Sequence, residues 1–424
     1  MAFGFLKSIA GSDGSGHRGL GALRHRDFRR LWVGLLVSNS GTWARNVAQG
    51  WLLYQLSDSR LWLGVLALSF ALPMITLPLF GGVIADRFDR LRALRCTQFC
   101  AAILSTILAW LTFTGHLTIW QIIGLSFLGA VVLAVDNPTR QALIPALVPR
   151  EDLLSAMALN GIIFTGAGVL GSALAGMILH RYEGQLLKGP GIIFILNAVS
   201  YLAVLVPLFF IRLRDPAARA GRSQSAWAGL REGAVYLRAH PVLGLIISIS
   251  AATNLFGRSF LYLMPVLARD TLQVGAGGLG TMHAAVSAGT LAGGLGLAAL
   301  GGVRRQKTVL IYSLSMLIGS VVVLAVSRRY SVALVVLGIN GAVTAIATAT
   351  IATGIQTNVA ETMRGRMMSY YTLTLIGFAP LGSGIAGALA QWMPVSYAII
   401  LPTAVLLLFL LWTIFRVPAW QRLS

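Results

Sequence analysis

The chain has 424 residues, of which 56% are hydrophobic and only 11% are charged, and its mean hydropathy is +0.78. Soluble domains carry roughly 25% charged residues, so this composition excludes an ordinary soluble enzyme and indicates a membrane protein. The net charge of +20 would suit a nucleic-acid partner, but its distribution along the chain, described below, argues against one.

Apolar runs long enough to cross a bilayer, about 20 residues each, recur along the whole chain. They predict an all-α membrane protein with roughly twelve transmembrane helices. Residues 1–20 are rich in Gly and Ser and lack a continuous apolar core, so we expect the first span, rather than a cleavable signal peptide, to direct insertion. The expected spans are 29–56, 61–85, 93–115, 118–140, 154–180, 190–212, 241–267, 277–300, 307–327, 331–356, 367–392 and 395–416.

One face of the first span carries polar residues at helical spacing. The set is Ser38, Thr42, Arg45 and Gln49, with Trp43 and Asn46 beside them. An arginine near the middle of a bilayer costs at least ~2.5–3.5 kcal/mol, so this face must meet protein or water. We predict that it lines a substrate cavity. The alternative is that Arg45 bonds to carbonyl groups of neighbouring helices and maintains the bundle.

The loop after the second span reads Gly-Val-Ile-Ala-Asp-Arg-Phe-Asp-Arg-Leu-Arg over residues 82–92. The small Gly82 allows close helix packing, and Asp86 can accept hydrogen bonds at the positive N-terminal end of another helix. Arg87 and Arg90 can bind anionic lipid or pair with carboxylates. A loop that only anchors the chain to the membrane would explain these arginines, but not Gly82 and Asp86 at fixed spacing.

The middle of the chain, about 213–240, is the longest internal hydrophilic stretch. We interpret it as a connector between two six-helix halves, with residues Trp227 to Leu237 as an amphipathic helix on the membrane surface. The expected parts are a tail 1–26, a first bundle 27–212, the connector 213–240, a second bundle 241–416 and a tail 417–424.

The second half repeats features of the first, which is typical of transporters built from two similar halves. The segment Leu170–Gly176 (LGSALAG) returns as Leu381–Gly387 (LGSGIAG). The seventh span carries its own polar face, formed by Ser250, Asn254, Arg258 and Tyr262. We therefore predict that both polar faces line one cavity between the halves.

Basic residues are distributed unequally between the two sides of the predicted membrane. If the N-terminus is cytoplasmic, 25 of the 33 Lys and Arg residues fall in cytoplasmic segments, 6 in outer loops and 2 in spans. This is the positive-inside pattern, and it predicts that both termini are cytoplasmic. The basic residues are then membrane anchors, and we expect no nucleic-acid partner.

Catalytic signals are absent from the sequence. The two Cys, six His and 13 carboxylates form no recognisable metal cluster or nucleophilic triad. The sequence also contains no phosphate-binding loop. We expect no enzyme activity, no metal and no cofactor.

The loop at 82–92 resembles the G-x-x-x-D-R-x-x-R motif of the major facilitator superfamily, and more closely that of the branch with siderophore and macrolide exporters. Other matching segments are LRHRDFRRLW at 23–32, PTRQA at 138–142 and APLGS at 379–383. The resemblance implies two pseudo-symmetric six-helix bundles that rock about a central cavity. It also implies a cytoplasmic gate in which Asp86 caps the eleventh span and Arg90 pairs with Asp136, near Arg140. The corresponding loop of the second half, 301–307, has no acid.

Together these features predict a secondary active transporter of a bacterial-type inner membrane. We expect it to act as an exporter and to be a monomer. Two uncompensated arginines favour an anionic or amphipathic small-molecule substrate. Proton coupling would need a titrating group, for which Asp136 and His283 are candidates. An importer or lipid flippase of the same fold, and a non-transporting scaffold or receptor, remain as alternatives.

Overall fold

The structure, a computed structural model, describes residues 18–85, 89–211, 226–300 and 305–421. Over these ranges the chain is helical and has no β-strand. Eleven helices are long and apolar enough to cross a membrane. The first long helix, Arg26–Ser57, packs among them as a twelfth; its charged residues lower its hydropathy.

The first half begins with a short 3₁₀ helix, Arg18–Arg24, followed by six helices. These are α1 (Arg26–Ser57), α2 (Arg60–Ala85), α3 (Arg90–Phe113), α4 (Ile119–Leu143), α5 (Leu153–Arg181) and α6 (Lys188–Phe210). Side chains cap the start of two of these helices: Asp89 accepts from the Arg92 amide of α3 at 2.9 Å, and Thr118 and Gln121 form a capping box on α4.

A connecting helix, α7 (Ala226–Ala239), precedes the second half, so the helix predicted over Trp227 to Leu237 is present. The second half contains α8 (Pro241–Gly257), α9 (Gly275–Ala299), α10 (Gln306–Val326), α11 (Tyr330–Asn358), α12 (Arg364–Trp392) and α13 (Val395–Arg416). An ion pair between Glu232 and Arg366 holds α7 against α12. Because the spans alternate in direction, the start of α1 and the end of α13 share one face of the molecule, the terminal end. The loop between α1 and α2 lies at the opposite, distal end.

The seventh span is broken in its middle, whereas the sequence predicts one helix over 241–267. Helix α8 ends at Gly257, and a 3₁₀ turn (Leu261–Leu263), one α turn and a π turn (Leu267–Thr271) complete the crossing. Gly257 weakens the helix, and the Ser259 hydroxyl bonds to the Phe256 carbonyl oxygen at 3.1 Å, which competes with the backbone ladder. The continuous apolar composition conceals this break.

The repeated glycines place helices in backbone contact at equivalent positions of the two halves. A Cβ atom on Gly171 of α5 would lie 2.1 Å from the carbonyl oxygen of Ser40 in α1. A Cβ atom on Gly382 of α12 would lie 1.7 Å from the carbonyl oxygen of Leu255 in α8. Only glycine permits this approach, so the repeat fixes the same helix pairing within each bundle.

The last glycine of each repeat joins the two bundles. Gly176 of α5 faces Gly280 of α9, where a Cβ atom on Gly280 would lie 2.3 Å from the Gly176 Cα. Gly387 of α12 faces Gly64 of α2, where a Cβ atom on Gly387 would lie 2.8 Å from the Gly64 Cα. The seam between the bundles therefore consists of two symmetry-related crossings, α5 on α9 and α2 on α12.

Candidate substrate cavity and gates

Helix α1 brings Arg45 and Asn46 to the interior of the molecule. Asn46 is exposed although it lies in mid-helix, and helical geometry places it opposite Val33 and Val37, which are exposed on the lipid side. Nη2 of Arg45 donates to Oδ1 of Asn46 at 3.2 Å, while its buried Nε has no hydrogen-bond partner. Arg45 thus keeps donor capacity for a further group.

The break after α8 positions Arg258 and Tyr262. Arg258 follows the last helical residue, and within the described residues the only hydrogen bond of its guanidinium is a long one, 3.5 Å, to Oδ1 of Asn254. Arg258 and Tyr262 lie deep in the molecule but are only half-buried. They therefore line the candidate cavity, and Arg45 is near enough to act electrostatically on the Tyr262 hydroxyl.

Helix α9 adds His283 to this cavity. The lipid side of α9 is marked by the exposed residues Thr281, Ala288 and Ala292. His283 projects from the opposite side, is enclosed by protein and remains partly accessible. Arg45, Asn46, Arg258, Tyr262 and His283 form what we call the central cluster.

The central cluster is positively charged. Within the described ranges, neither Arg45 nor Arg258 lies within ion-pair distance of a carboxylate. Partly buried guanidinium groups without a counterion are costly unless an anion compensates them. Guanidinium groups form their strongest hydrogen bonds with carboxylate and phosphate oxygens.

Three residues predicted to line the cavity also contact the helices around α1. Gln49 is 4% exposed and donates to the Ile122 carbonyl oxygen of α4 at 3.2 Å. Thr42 bonds to the Ser38 carbonyl at 3.1 Å and contacts the Tyr201 hydroxyl of α6 at 3.3 Å. The polar face predicted for α1 is wider than the part that meets the cavity, so its edges contact other helices.

The third of these residues, Trp43, turns toward α5. Its ring packs edge-on against Phe164, with ring centroids 5.9 Å apart, and its Cβ lies beside Gly171. Asn254 is also buried, and it uses its amide to bond the Ser250 carbonyl at 2.9 Å. This buried residue contacts Arg258 through its amide oxygen.

Asp136, expected to pair with Arg90 near the terminal end, has different partners. Its buried carboxylate, 3% exposed, accepts hydrogen bonds at Oδ1 from Thr97 (2.8 Å) and Gln98 (2.7 Å) of α3. Among the residues that the structure describes, no basic group lies within ion-pair distance of Asp136. Thr97 and Gln98 are neutral donors that the motif does not include.

The other gate residues are only partly covered by the structure. Arg90 donates to the Ala142 carbonyl at 3.3 Å, and Arg140 donates to Asn137 at 2.7 Å. Gly82 lies in the last turns of α2. Asp86 and Arg87 lie outside the described residues, so their predicted role remains a prediction.

Polar contacts join the two bundles at the distal end. The Tyr54 hydroxyl of α1 donates to Oδ2 of Asp270 at 2.6 Å, and Nη2 of Arg60 lies 3.5 Å from the same oxygen. Arg269 bonds through Nε to Oδ1 of Asp270 at 2.9 Å and forms an ion pair with Asp58. We call these five residues the distal latch.

Further contacts strengthen the distal closure. The Arg269 guanidinium lies over the Tyr54 ring, 3.9 Å from its centroid, a favourable cation–π geometry. Arg60 also donates to the Ala390 carbonyl of α12 at 3.1 Å. All hydrogen bonds and ion pairs recorded between described residues of the two bundles lie at this end. The structure is therefore a distally closed state.

The sequence analysis did not single out the distal latch. One signal was available, because few carboxylates flank the spans. Asp58 directly follows the first span, and Asp270 lies at the end of the seventh span, which is the equivalent span of the second half. However, Asp58 and Arg269 are 211 positions apart, and sequence alone does not show how the two halves pack, so it cannot pair these opposite charges.

Two six-helix halves around an interior polar cluster, closed at one end by contacts between the halves, define a transporter of the major facilitator superfamily. Within this superfamily, the chain belongs to the transmembrane secretion effector family, whose model matches residues 18–424. Similar solved structures share the fold. A bacterial homologue of the human lysosomal transporter Spinster, inward-facing and unoccupied, has a TM-score of 0.69 at 13% identity and covers 97% of this chain and 98% of its own. The nucleoside transporter NupG has a TM-score of 0.68 at 12% identity and covers 92% of this chain and 99% of its own.

Curated relatives include siderophore transporters. The staphyloferrin A transporter of Staphylococcus aureus is 27% identical over 231 residues, which are 54% of this chain and 55% of the relative. The enterobactin exporter EntS of Shigella flexneri is 24% identical over 321 residues, 75% of this chain and 74% of the relative. The chain thus spans about half the length of the first of these relatives and three quarters of the second.

Proposed function

We propose that the protein is a secondary active exporter of small anionic or amphipathic molecules, of the siderophore kind, that works by alternating access. The central cluster is the observation that carries this proposal, because it offers cations from both halves to one solute without a protein counterion. Two relatives support the siderophore class, since one is named a transporter of staphyloferrin A and the other an exporter of enterobactin.

The distally closed state represents one end of the transport cycle. In the reverse state the distal latch would open, and the glycine-lined crossings would allow α5 and α2 to roll on α9 and α12. A substrate anion that contacts Arg45 and Arg258 at once would bind residues of both halves. The excess of basic residues at the terminal end supports a cytoplasmic location for both termini in an inner membrane, with release on the distal side.

Proton coupling is assigned to Asp136. Asp136 is a buried carboxylate whose donors, Thr97 and Gln98, are both neutral, and its Oδ2 has no recorded partner. These bonds join α3 to α4, so a change at Asp136 would act on that helix contact. His283 is the second titratable group, and it lies in the central cluster itself.

Efflux of two defined probes tests the proposal. Cells loaded with enterobactin or with staphyloferrin A should release it faster when they express the protein, and a protonophore should stop this release. The D136N variant should lose gradient-driven efflux but retain exchange of labelled for unlabelled probe, because Asn keeps an acceptor oxygen for Thr97.

The alternative outcomes separate the competing functions. Uptake in place of release would identify an importer, and movement of lysophospholipid without movement of either probe would identify a flippase. Protonophore-insensitive efflux would remove proton coupling. If a cationic dye is exported and both anionic probes are not, the charge argument fails.

A further inference from the structure

A groove of about 550 Å³ lies on the lipid-facing side of the molecule, near the terminal end, where α1 meets α6. Arg29 and Arg30 form its polar rim, and Val33, Leu202 and Val206 line its walls. This groove is separate from the central cluster and from both gates, and the proposed transport function makes no use of it.

Backbone contact forms the floor of the groove. A Cβ atom on Gly34 would lie 2.1 Å from the Ala203 carbonyl oxygen. Pro207 lies four residues after Ala203 and has no N–H, so this carbonyl has no donor from its own helix ladder. The two helices therefore touch along their main chains, and the larger side chains stand on either side of a channel.

The walls are apolar and uncovered. Val33, Leu202 and Val206 are 50%, 49% and 53% exposed. Half of each side chain therefore remains available to a hydrocarbon chain lying in the groove.

The rim carries positive charge that no described carboxylate neutralises. Arg29 and Arg30 are both exposed, and neither is within ion-pair distance of a carboxylate in the described part of the chain. Arg29 has only a 3.5 Å hydrogen bond to the Leu23 carbonyl, and Arg30 has none recorded. Two adjacent guanidinium groups repel each other, and an anion between them would remove this repulsion.

The depth of the rim matches a lipid headgroup. Helix α1 has 32 residues, which at about 1.5 Å per residue is about 48 Å. A hydrocarbon core of about 30 Å leaves about 9 Å of the helix beyond each boundary. Arg29 and Arg30 then lie in the headgroup layer, and Val33 lies at the edge of the hydrocarbon.

We propose that this groove binds one anionic phospholipid. Arg29 and Arg30 hold the phosphate diester, whose oxygens match the guanidinium geometry, and one acyl chain lies between Val33, Leu202 and Val206. A zwitterionic lipid carries an ammonium group that offsets the attraction, so it binds more weakly.

Native mass spectrometry of the delipidated full-length protein tests the site. Phosphatidylglycerol and phosphatidylcholine with identical acyl chains are titrated separately. The wild-type protein should retain one phosphatidylglycerol at least about five-fold more strongly than phosphatidylcholine. The R29Q/R30Q variant should lose this preference. R24Q/R26Q is the matched control, since it removes two exposed arginines of the same end outside the groove, and it should keep the preference.

A second pair of variants tests the apolar part without changing charge. Val206→Trp fills the groove and should weaken phosphatidylglycerol binding. Val199→Trp, at an exposed position outside the groove (56% exposed), should not. Equal retention of the two lipids by the wild-type protein, equal loss in both arginine variants, or full retention in R29Q/R30Q would overturn the proposal. Retention by Val206→Trp would exclude the acyl-chain placement.

Discussion

At the scale of single residues, the uncompensated arginines of the central cluster distinguish this cavity. Arg45 and Arg258 are held by Asn46 and Asn254, each through a neutral amide oxygen. Neutral acceptors position a guanidinium group without cancelling its charge. The charge is therefore available to a solute, and the two asparagines act as positioning residues.

Replacing either arginine should weaken binding of an anionic solute more than it slows turnover. A charge-assisted hydrogen bond contributes about 1.5–3 kcal/mol, so Arg45→Gln or Arg258→Gln should raise the KM for enterobactin efflux by about 10-fold to 100-fold. Arg24→Gln, which removes an exposed terminal-end charge, is the control and should leave KM unchanged.

The same variants should remain folded, because glutamine removes a partly buried charge rather than leaving one unpaired. Thermal unfolding in detergent measures this. An unchanged KM in a folded Arg45→Gln protein would show that Arg45 does not contact the solute.

At the scale of helices, the seam between the bundles is made of backbone and small side chains. Gly176 meets Gly280, Gly168 approaches Ser287, and Gly64 meets Gly387. Such surfaces have few side chains that interlock, so the helices can roll without crossing large steric barriers. Directional contacts are concentrated in the distal latch.

Enlarging Gly280 should oppose distal closure. A valine there would collide with the Gly176 backbone, because even a Cβ atom on Gly280 would lie 2.3 Å from the Cα atom of Gly176. We expect Gly280→Val to raise by several-fold the rate at which an impermeant thiol reagent reaches Asn46→Cys from the distal side, in a background that lacks Cys96 and Cys100. Gly294→Val is the control on the same helix, since nothing lies within 4 Å of its Cβ position. Equal labelling of the two glycine variants would argue against the crossing as a determinant of closure.

Breaking the distal latch should have a similar effect by a different route. Asp270 accepts from Tyr54, and its two oxygens also meet Arg60 and Arg269, so Asp270→Asn removes the charge that draws both halves together. Asp58 has a 79% exposed side chain and pairs with Arg269 alone, and exposed pairs contribute little. Distal labelling of Asn46→Cys should therefore increase strongly in Asp270→Asn and weakly in Asp58→Asn; the reverse order would contradict the assignment.

The helices were predictable from sequence because long apolar runs and the repeat leave few alternatives. The glycines at 171, 176, 382 and 387 identified the closely packed helices, although sequence could not say that the first of each pair acts within a bundle and the second between bundles. Helical spacing placed Arg45 and Gln49 on one face, but it could not show that Gln49 meets α4. The break at Arg258 has local causes, Gly257 and Ser259, but the continuous apolar composition hides them. The partners of Asp136 lie on another helix, so no local pattern identifies them.

At the scale of the whole molecule, the distribution of basic residues predicts the orientation in the membrane. Of 33 Lys and Arg residues, 25 fall on the side of the termini, so that side should be cytoplasmic. A green fluorescent protein fused after Ser424 should fluoresce, and alkaline phosphatase inserted after Ser327, at the distal end of α10, should be active. A dark fusion together with an inactive phosphatase would reverse the orientation and, with it, the direction proposed for release.

The unpaired charge of the central cluster also makes the empty carrier sensitive to voltage. A cavity that opens to one side at a time takes the electrical potential of that side. Moving two elementary charges through a membrane potential costs or releases about 4.6 kcal/mol per 100 mV. With the terminal end in the cytoplasm, as proposed, a negative interior would hold the empty carrier open toward the cytoplasm. A dianionic cargo cancels the two charges, so the loaded carrier turns outward without electrical work.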